Sequence, residues 1–210
     1  MTPPMPGARA AKAAQTRARM LAAARELFIE RGYIATSMQA IATQAGVAVQ
    51  TLYFTFETKR AILKELLDLD VAGDDAPVGT LDRPGIAEAL AAPPPELLRR
   101  LGIITADIHA RVEPLLEVVR SAAATDPEIA DLWRTNISQR HTVLAVFTGA
   151  LAAKHALHPG LNAVRAADMA LAVLAPETYH LLTHQQGWTG QAWAEWAGET
   201  LIGMLLAQRE

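Results

Sequence analysis

Gln50, Thr51, Phe54 and Thr55 fall on the outward side of a short segment whose inward stripe is Leu52 and Phe56. A carboxamide, two hydroxyls and an aromatic ring on one face are groups suited to lying against a nucleic acid. A second candidate group is His180 with His184, one helical turn apart, a spacing that binds a divalent metal when further ligands converge. The residues between them, Leu181, Leu182 and Thr183, supply no glutamate of the HExxH kind. The expectation is therefore no metal site, with these histidines on a helix flank or at a dimer contact. His155 and His158 lie beside Pro159 and Gly160 and read as loop residues. Catalysis finds little support: the chain has no GxSxG elbow, phosphate-cradling glycine loop or dinucleotide fingerprint, and no cofactor is expected. Zero cysteines excludes a thiol nucleophile, a disulfide and a thiolate zinc site.

Holding the outward face in place requires two short helices hinged at Gly46. Thr36 and Gln39 have capping-box spacing, predicting a helix from about Ser37 whose buried face is Met38, Ile41, Ala42 and Ala45. Gly46 supplies the turn, Val47 tucks into the corner, and the second helix follows at about 48 to 54. Before them, a helix from about 16 to 31 carries Leu21, Ala24, Leu27 and Phe28 as its core stripe and stops at Gly32. Thr58 is a plausible N-cap for a fourth helix through Ile62, Leu63, Leu66 and Leu67.

The 210 residues carry a formal charge of −3 that is unevenly spread. Residues 1 to 64 hold nine Lys and Arg against three acids, a net of +6, and the remainder holds ten against nineteen, a net of −9. Such asymmetry points to a nucleic-acid-binding region joined to something else. The longest charge-free apolar stretch, His141 to Ala153, has 13 residues, below the roughly 18 needed for a membrane span. The first residues lack an apolar signal core, so a cytoplasmic protein is expected.

From Val71 to Pro95 the Gly, Asp and Pro content predicts a loop with a short helix around Ile86 to Leu90. Helices are then expected at about 95 to 110, 114 to 124, 127 to 154, 162 to 186 and 189 to 208, giving an all-α fold. Pro114 and Pro127 sit as first-turn prolines, whereas Pro176 should kink the helix that contains it.

The stretch from Arg19 to Leu63 resembles the DNA-binding domain of the TetR/AcrR family of bacterial transcriptional regulators. The resemblance rests on the pattern from Ala23 to Phe28, Gly32-Tyr33, Ile41-Ala42, Ala45-Gly46-Val47, Leu52-Tyr53, Phe56 and Lys59. It covers about a quarter of the chain in detail; beyond it, Pro176 to Leu182 followed by Gly187-Trp188 is similar to the paired C-terminal helices of many members. It implies a flexible basic arm over 1–15, a three-helix helix-turn-helix domain over 16–62, and a helical effector-binding and dimerisation domain over 63–210.

By position, the resemblance places Thr36, Ser37, Tyr53 and Lys59 on the DNA backbone and gives Gln50 and Thr51 to base edges. A carboxamide can bond both N6 and N7 of adenine, and a threonine methyl can rest on thymine. Many members have tyrosine and histidine where this chain has Phe54 and Thr55, so contacts there are weakened or replaced. A short recognition helix reads few base pairs, so a homodimer on a palindromic operator is expected. Leu174, Thr178, Leu181, Trp193, Ala197, Leu201 and Met204 are the expected interface, pairing as a four-helix bundle.

The resemblance further implies a small-molecule effector within the C-terminal helices that releases the protein from DNA, repression being the family default. Ile104, His109, Trp133, Ile137, His141, Met169 and Tyr179 are the candidate walls, and their apolar and aromatic character favours a hydrophobic or aromatic effector. Filling the core is the competing role for each of them. The competing reading of the whole chain is a helical ligand- or protein-binding module whose DNA head is degenerate.

Overall fold

The computed structural model describes residues 7–73 and 79–207. Among them the regular structure is helical: α1 Ala8–Ala35, α2 Met38–Ala45, α3 Val49–Phe56, α4 Lys59–Ala72, α5 Pro84–Ala91, α6 Pro94–Ala122, α7 Pro127–Ala153, α8 Ala163–Val173, α9 Pro176–His180 and α10 Gly190–Leu205. The sole β pairing among the described residues is an isolated bridge between Leu157 and Leu206. The chain divides into two compact units, one formed by 1–68 with 114–132 and the other by 69–113 with 133–210. The first therefore recruits a segment more than forty residues downstream of the expected boundary at 62.

In the first unit, α1 begins at Ala8, well before the expected start at 16, so residues 8 to 15 of the anticipated flexible arm are helical. Alanine is the strongest helix former, and ARAAKAAQ is five-eighths alanine. The arm's first residues, 1 to 6, lie outside the described structure. Gly32 interrupts the helix with φ 80° and ψ 166°, where the sequence places the stop. The stripe Leu21, Ala24, Leu27 and Phe28 is buried, and Phe28 meets Tyr33 with ring centroids 5.7 Å apart. Met38, Ile41, Ala42 and Ala45 form the buried face of α2, with Leu52 and Phe56 that of α3. Apolar side chains from the recruited segment, including Leu115, Leu116, Val119 and Ile129, are buried as well.

The second unit is built on α5, the part of α6 up to Glu113, α7 from Trp133 onward, and α8 to α10. Its core includes Leu97, Leu98, Leu101, Phe147, Leu151, Trp193, Ala197 and Leu201. Helices α6 and α10 approach closely at Gly102, where an added Cβ would stand 2.6 Å from the Ala194 carbonyl oxygen. Only glycine permits that approach.

Prolines produced two departures. α6 is one continuous helix with Pro114 inside it, where two helices were expected with Pro114 in the first turn of the second. Interior proline costs about 3 kcal/mol, but Val112, Leu115, Leu116 and Val119 around it are buried, and their packing outweighs the local penalty. Pro176 breaks its helix rather than kinking it: Ala175 is extended, Pro176 opens α9 in the first turn, and the Thr178 hydroxyl donates to the Val173 and Ala175 carbonyls that the break exposes. Pro127 sits in the first turn of α7 as expected, with Asp126 Oδ1 accepting from the amides of Glu128 and Ile129. No helix among the described residues is long and apolar enough to cross a membrane. The last helix ends at Leu205, and residue 208 of its expected span lies outside the described residues.

Candidate nucleic-acid interface

The reading surface starts from a two-part cap. Ser37, rather than Thr36, is the N-cap of α2, and its Oγ accepts from the Ala40 amide at 3.1 Å. Thr36 is 1% exposed, and its hydroxyl donates to the carbonyls of Leu27 at 3.1 Å and Gly32 at 2.8 Å. Its expected roles in a capping box and on a phosphate are thereby replaced by one inside the fold. Capping-box spacing alone could not tell which of two adjacent hydroxyls faces inward. Gln39, the other half of the expected box, places its carboxamide near Thr43 instead.

Gly46 closes α2 in the left-handed region, φ 65°, with its amide directed to the Ala42 and Thr43 carbonyls. This conformation strains a residue with a side chain and suits glycine. Val47 is half-buried in the corner and its amide donates to Ala42 at 3.0 Å. Helix α3 then starts at Val49, after an N-cap residue, Ala48, whose side chain supplies no hydrogen bond. Leu52 is 0% exposed and Phe56 is buried, which fixes the rotation of α3 and turns Gln50 and Thr51 outward. Tyr53 is half-exposed and Phe54 is 92% exposed. Thr55 is half-buried, with its hydroxyl donating to the Thr51 carbonyl at 2.8 Å, so its donor is satisfied within the helix.

The end of α3 is a tight reversal. Glu57 takes φ 61° and ψ −51°, and the Thr58 amide donates to the Phe56 carbonyl at 2.6 Å, a γ-turn that is rare for a residue with a side chain. Thr58 then caps α4 through the Ala61 amide, as its sequence position predicted.

Lys59, expected on a phosphate, is committed internally. Its Nζ donates to the carbonyls of Tyr33 at 2.7 Å and Thr36 at 2.8 Å and lies 4.1 Å from the centre of the Tyr33 ring. Burial lowers its pKa, with Asp126 opposing the shift. The same enclosure raises the Tyr33 hydroxyl to about 12, through burial first and then the charges of Asp126 and Glu128. Lys59 thus ties the end of α1 to the start of α4, a structural role that spacing does not distinguish from phosphate binding.

Cations that looked available in the sequence are similarly occupied. Arg17 pairs with Glu65 through both ends of its guanidinium, Nε to Oε1 at 2.9 Å, and its Cζ stands 4.4 Å from the centre of the Phe56 ring. Arg60 faces Glu128 at 3.6 Å and Lys64 faces Asp68 at 2.6 Å. Counted over the whole first unit, ten Lys and Arg meet nine acids, a net of +1 in place of the +6 of residues 1 to 64. Glu65 and Asp68 lower the +6 to +4, and the four acids of the recruited segment against Arg120 lower it to +1.

In the second unit, the candidate effector residues separate. His109 and Tyr179 come together with Trp193, their centroids 5.2 to 5.6 Å apart. Burial lowers the His109 pKa to about 4, opposed by the bond of its Nε2 to the Leu174 carbonyl at 3.0 Å and assisted by the charge of Arg140. The neutral ring donates from Nε2, which leaves Nδ1 as a buried acceptor. His109 Nδ1, Trp193 Nε1 and Arg140 Nη1 are buried atoms without a hydrogen-bond partner in the described structure. Ile104 and Met169 pack on the same core. Trp133 and Ile137 are half-buried, with Arg140 5.8 Å from the Trp133 ring centre, whereas His141 turns to Asp168 at 3.0 Å on the surface. Arg140 was missed; it lies on the same helical stripe as Trp133, Ile137 and Leu144, but its charge argued against an inward position.

The expected dimer residues also divide. Leu174, Trp193, Ala197 and Leu201 are buried within one chain, with relative exposures of 2% or less, so they cannot serve a partner. The apolar face of α10 that seemed to need an external cover is covered within its own unit. Thr178 is half-buried, while Leu181 at 46% and Met204 at 41% stay exposed, joined by Trp188, which lies in the stretch similar to the family's paired C-terminal helices, and by Val164, which is not among the expected interface residues.

Two short helices crossed at a glycine turn, the second with an anchored inner face and a polar and aromatic outer one, define the chain as a helix-turn-helix protein. Residues 20–66 match the family described as bacterial regulatory proteins, tetR family. It is 32% identical over 117 residues to the HTH-type transcriptional regulator EthR of Mycobacterium tuberculosis, a match covering 55% of this chain and 52% of EthR. The match thus spans about half the length of that relative. Among solved structures, the fold is similar to NalD of Pseudomonas aeruginosa, the secondary repressor of the MexAB-OprM multidrug efflux pump, with TM-score 0.69 and 20% identity over 91% of this chain and 97% of NalD. It is also similar to the regulator FadR of Bacillus subtilis in complex with stearoyl-CoA, with TM-score 0.70 and 20% identity over 89% of this chain and 97% of FadR. These relatives are regulators rather than enzymes.

Proposed function

We propose that this protein is a cytoplasmic, sequence-specific DNA-binding transcriptional regulator that acts as a homodimeric repressor and leaves a palindromic operator when a hydrophobic or aromatic small molecule binds. The observation that carries the reading is the outer face of α3, where Gln50, Thr51, Tyr53 and Phe54 are exposed while Leu52 and Phe56 hold the helix from behind. Gln50 reads base edges, Thr51 assists it, and Ser37 and Tyr53 set register on phosphates. Phe54 supplies a ring that can pack on sugar or thymine methyl, in place of the tyrosine common in the family. Two copies are needed because one eight-residue helix covers only a few base pairs; a dimer presents two such helices about 34–36 Å apart.

The effector reading rests on the second unit. His109, Tyr179 and Trp193 offer aromatic faces, and buried polar atoms on His109, Trp193 and Arg140 offer fixed hydrogen-bonding handles. An apolar molecule carrying one polar group suits that combination. The relatives include a regulator solved with stearoyl-CoA and one from Saccharomonospora viridis solved with choline, both of which join an apolar or alkylated part to a polar one.

The decisive test is fluorescence anisotropy of the full chain with the DNA upstream of its own gene, across a salt series. Salt-sensitive binding to a palindrome is expected, and Gln50→Ala should lower discrimination at one base pair per half-site by roughly 1–3 kcal/mol. The reading fails if binding to every candidate palindrome is absent or insensitive to salt, an outcome that favours a helical module with a degenerate DNA head.

A further inference from the structure

Tertiary packing brings a third donor to the histidine pair. Glu113 on α6 is 5% exposed, and its carboxylate faces both imidazoles, Oε1 at 2.5 Å from His180 Nδ1 and Oε2 at 3.3 Å from His184 Nε2. One ligand atom from each of the three lies within 4.8 Å of the other two. The two rings stack, with centroids 5.1 Å apart and 22° between planes, so their nitrogens are presented side by side to the same carboxylate. His180 ends α9, and His184 lies in the π-helical segment Leu181–Gln185 that continues it. π-Helical turns are rare and are found frequently at functional sites.

We infer that Glu113, His180 and His184 form a binding site for a divalent first-row transition ion, with zinc the best match. Two imidazoles and one carboxylate are the donor set of an open tetrahedral zinc site, which leaves a fourth position for water or an exogenous ligand. Bonds of about 2.1 Å put tetrahedral ligand atoms roughly 3.4 Å apart. The carboxylate–imidazole separations of 2.5 and 3.3 Å lie below that value and the three ligand atoms lie within 4.8 Å of one another, so side-chain rotations would seat the ion. A buried carboxylate also gains a full counter-charge from the cation. His184, with a side chain 54% exposed, gives the ion a route from solvent. The i,i+4 histidines were visible in the sequence, and the expectation of no metal rested on the lack of a glutamate between them; Glu113, nearly seventy residues away, is brought to them by packing.

The test uses full-length protein without a polyhistidine tag, stripped with chelator and titrated with Co²⁺ followed by Zn²⁺. One Co²⁺ per chain should bind with visible d–d absorption, and Zn²⁺ should displace it. His184→Gln and His180→Gln should each weaken binding by about tenfold or more, since even outer-shell changes cost 10–100-fold at metal sites. His158→Gln, a loop histidine outside the cluster, should leave the titration unchanged. Circular dichroism should show the same helical signal in all three variants, so that loss of binding reports lost ligands. Failure of the wild-type chain to take up Co²⁺ or Zn²⁺, or retention of wild-type affinity in both His180→Gln and His184→Gln, would overturn the assignment and leave the cluster as a hydrogen-bonded triad.

Discussion

Helix α3 and helix α10 have almost opposite uses for their apolar residues. The eight residues of α3 bury Leu52 and Phe56 and leave Phe54 92% exposed, so the helix carries a large apolar side chain that does nothing for its own fold. The sixteen residues of α10 bury Trp193, Ala194, Ala197, Gly198, Leu201 and Leu205. Surroundings of the polar groups differ in the same way. Around α3 the ones that remain inside, Thr36 and Lys59, are fully engaged with backbone carbonyls, whereas around α10 buried atoms of His109 and Trp193 have no partner. A reading head needs a rigid, internally satisfied support with its unsatisfied chemistry outside. A ligand-responsive unit can instead hold unsatisfied chemistry within, at a cost in stability that a bound molecule offsets.

Three measurements would break or sharpen that contrast. The largest effect is expected at His109. Its pKa of about 4 lies below the usual 6.5 for histidine, so the folded chain binds fewer protons than the unfolded chain between those values. The stability this ring contributes is therefore present above pH 6.5, falls as pH drops, and is lost by about pH 4. At about 1.4 kcal/mol per pKa unit the change amounts to roughly 3 kcal/mol. Urea titrations of wild-type and His109→Phe at pH 7 and pH 4 should show the variant losing about that much less on acidification. Equal losses would mean that His109 is not held neutral by burial.

A smaller effect is expected where α6 and α10 touch. Gly102→Ala would put a Cβ 2.6 Å from the Ala194 carbonyl oxygen, so the helices must separate, at a cost of about 1–3 kcal/mol. A thermal melt unchanged from wild type would show that this crossing is looser than the structure indicates. The smallest stability effect belongs to Phe54→Ala, below about 0.5 kcal/mol because the ring contributes little to the core. The same variant should nevertheless weaken operator binding. If it destabilised the fold by as much as Gly102→Ala, the ring would be part of the support rather than of the reading face.

The first unit was legible where its interactions are local in sequence. The α2 face of Met38, Ile41, Ala42 and Ala45, the Gly46 turn, the Thr58 cap and the outward direction of Gln50 and Thr51 all follow from periodicity and turn chemistry within about twenty residues. Lys59 escaped that logic because its partners Tyr33 and Thr36 lie 26 and 23 residues away, and Thr36 because it closes α1, its hydroxyl donating back to Leu27 and Gly32, rather than opening α2. The second unit was legible as helices but not as an arrangement of them. An apolar stripe shows that a helix must be covered without showing what covers it, which is why Trp193, Ala197 and Leu201 were mistaken for an interface.

By itself the sequence determined the helix-turn-helix, its turn and the side of α3 that faces outward, because period 3.6, capping and a left-handed glycine are properties of short segments. Tertiary structure alone decided that residues 114–132 lower the charge of the first unit from +4 to +1, that His109, Tyr179 and Trp193 meet, and that Glu113 reaches His180 and His184. Each of these joins residues tens of positions apart. Their proximity is set by how helix faces pack, and local spacing carries no record of it.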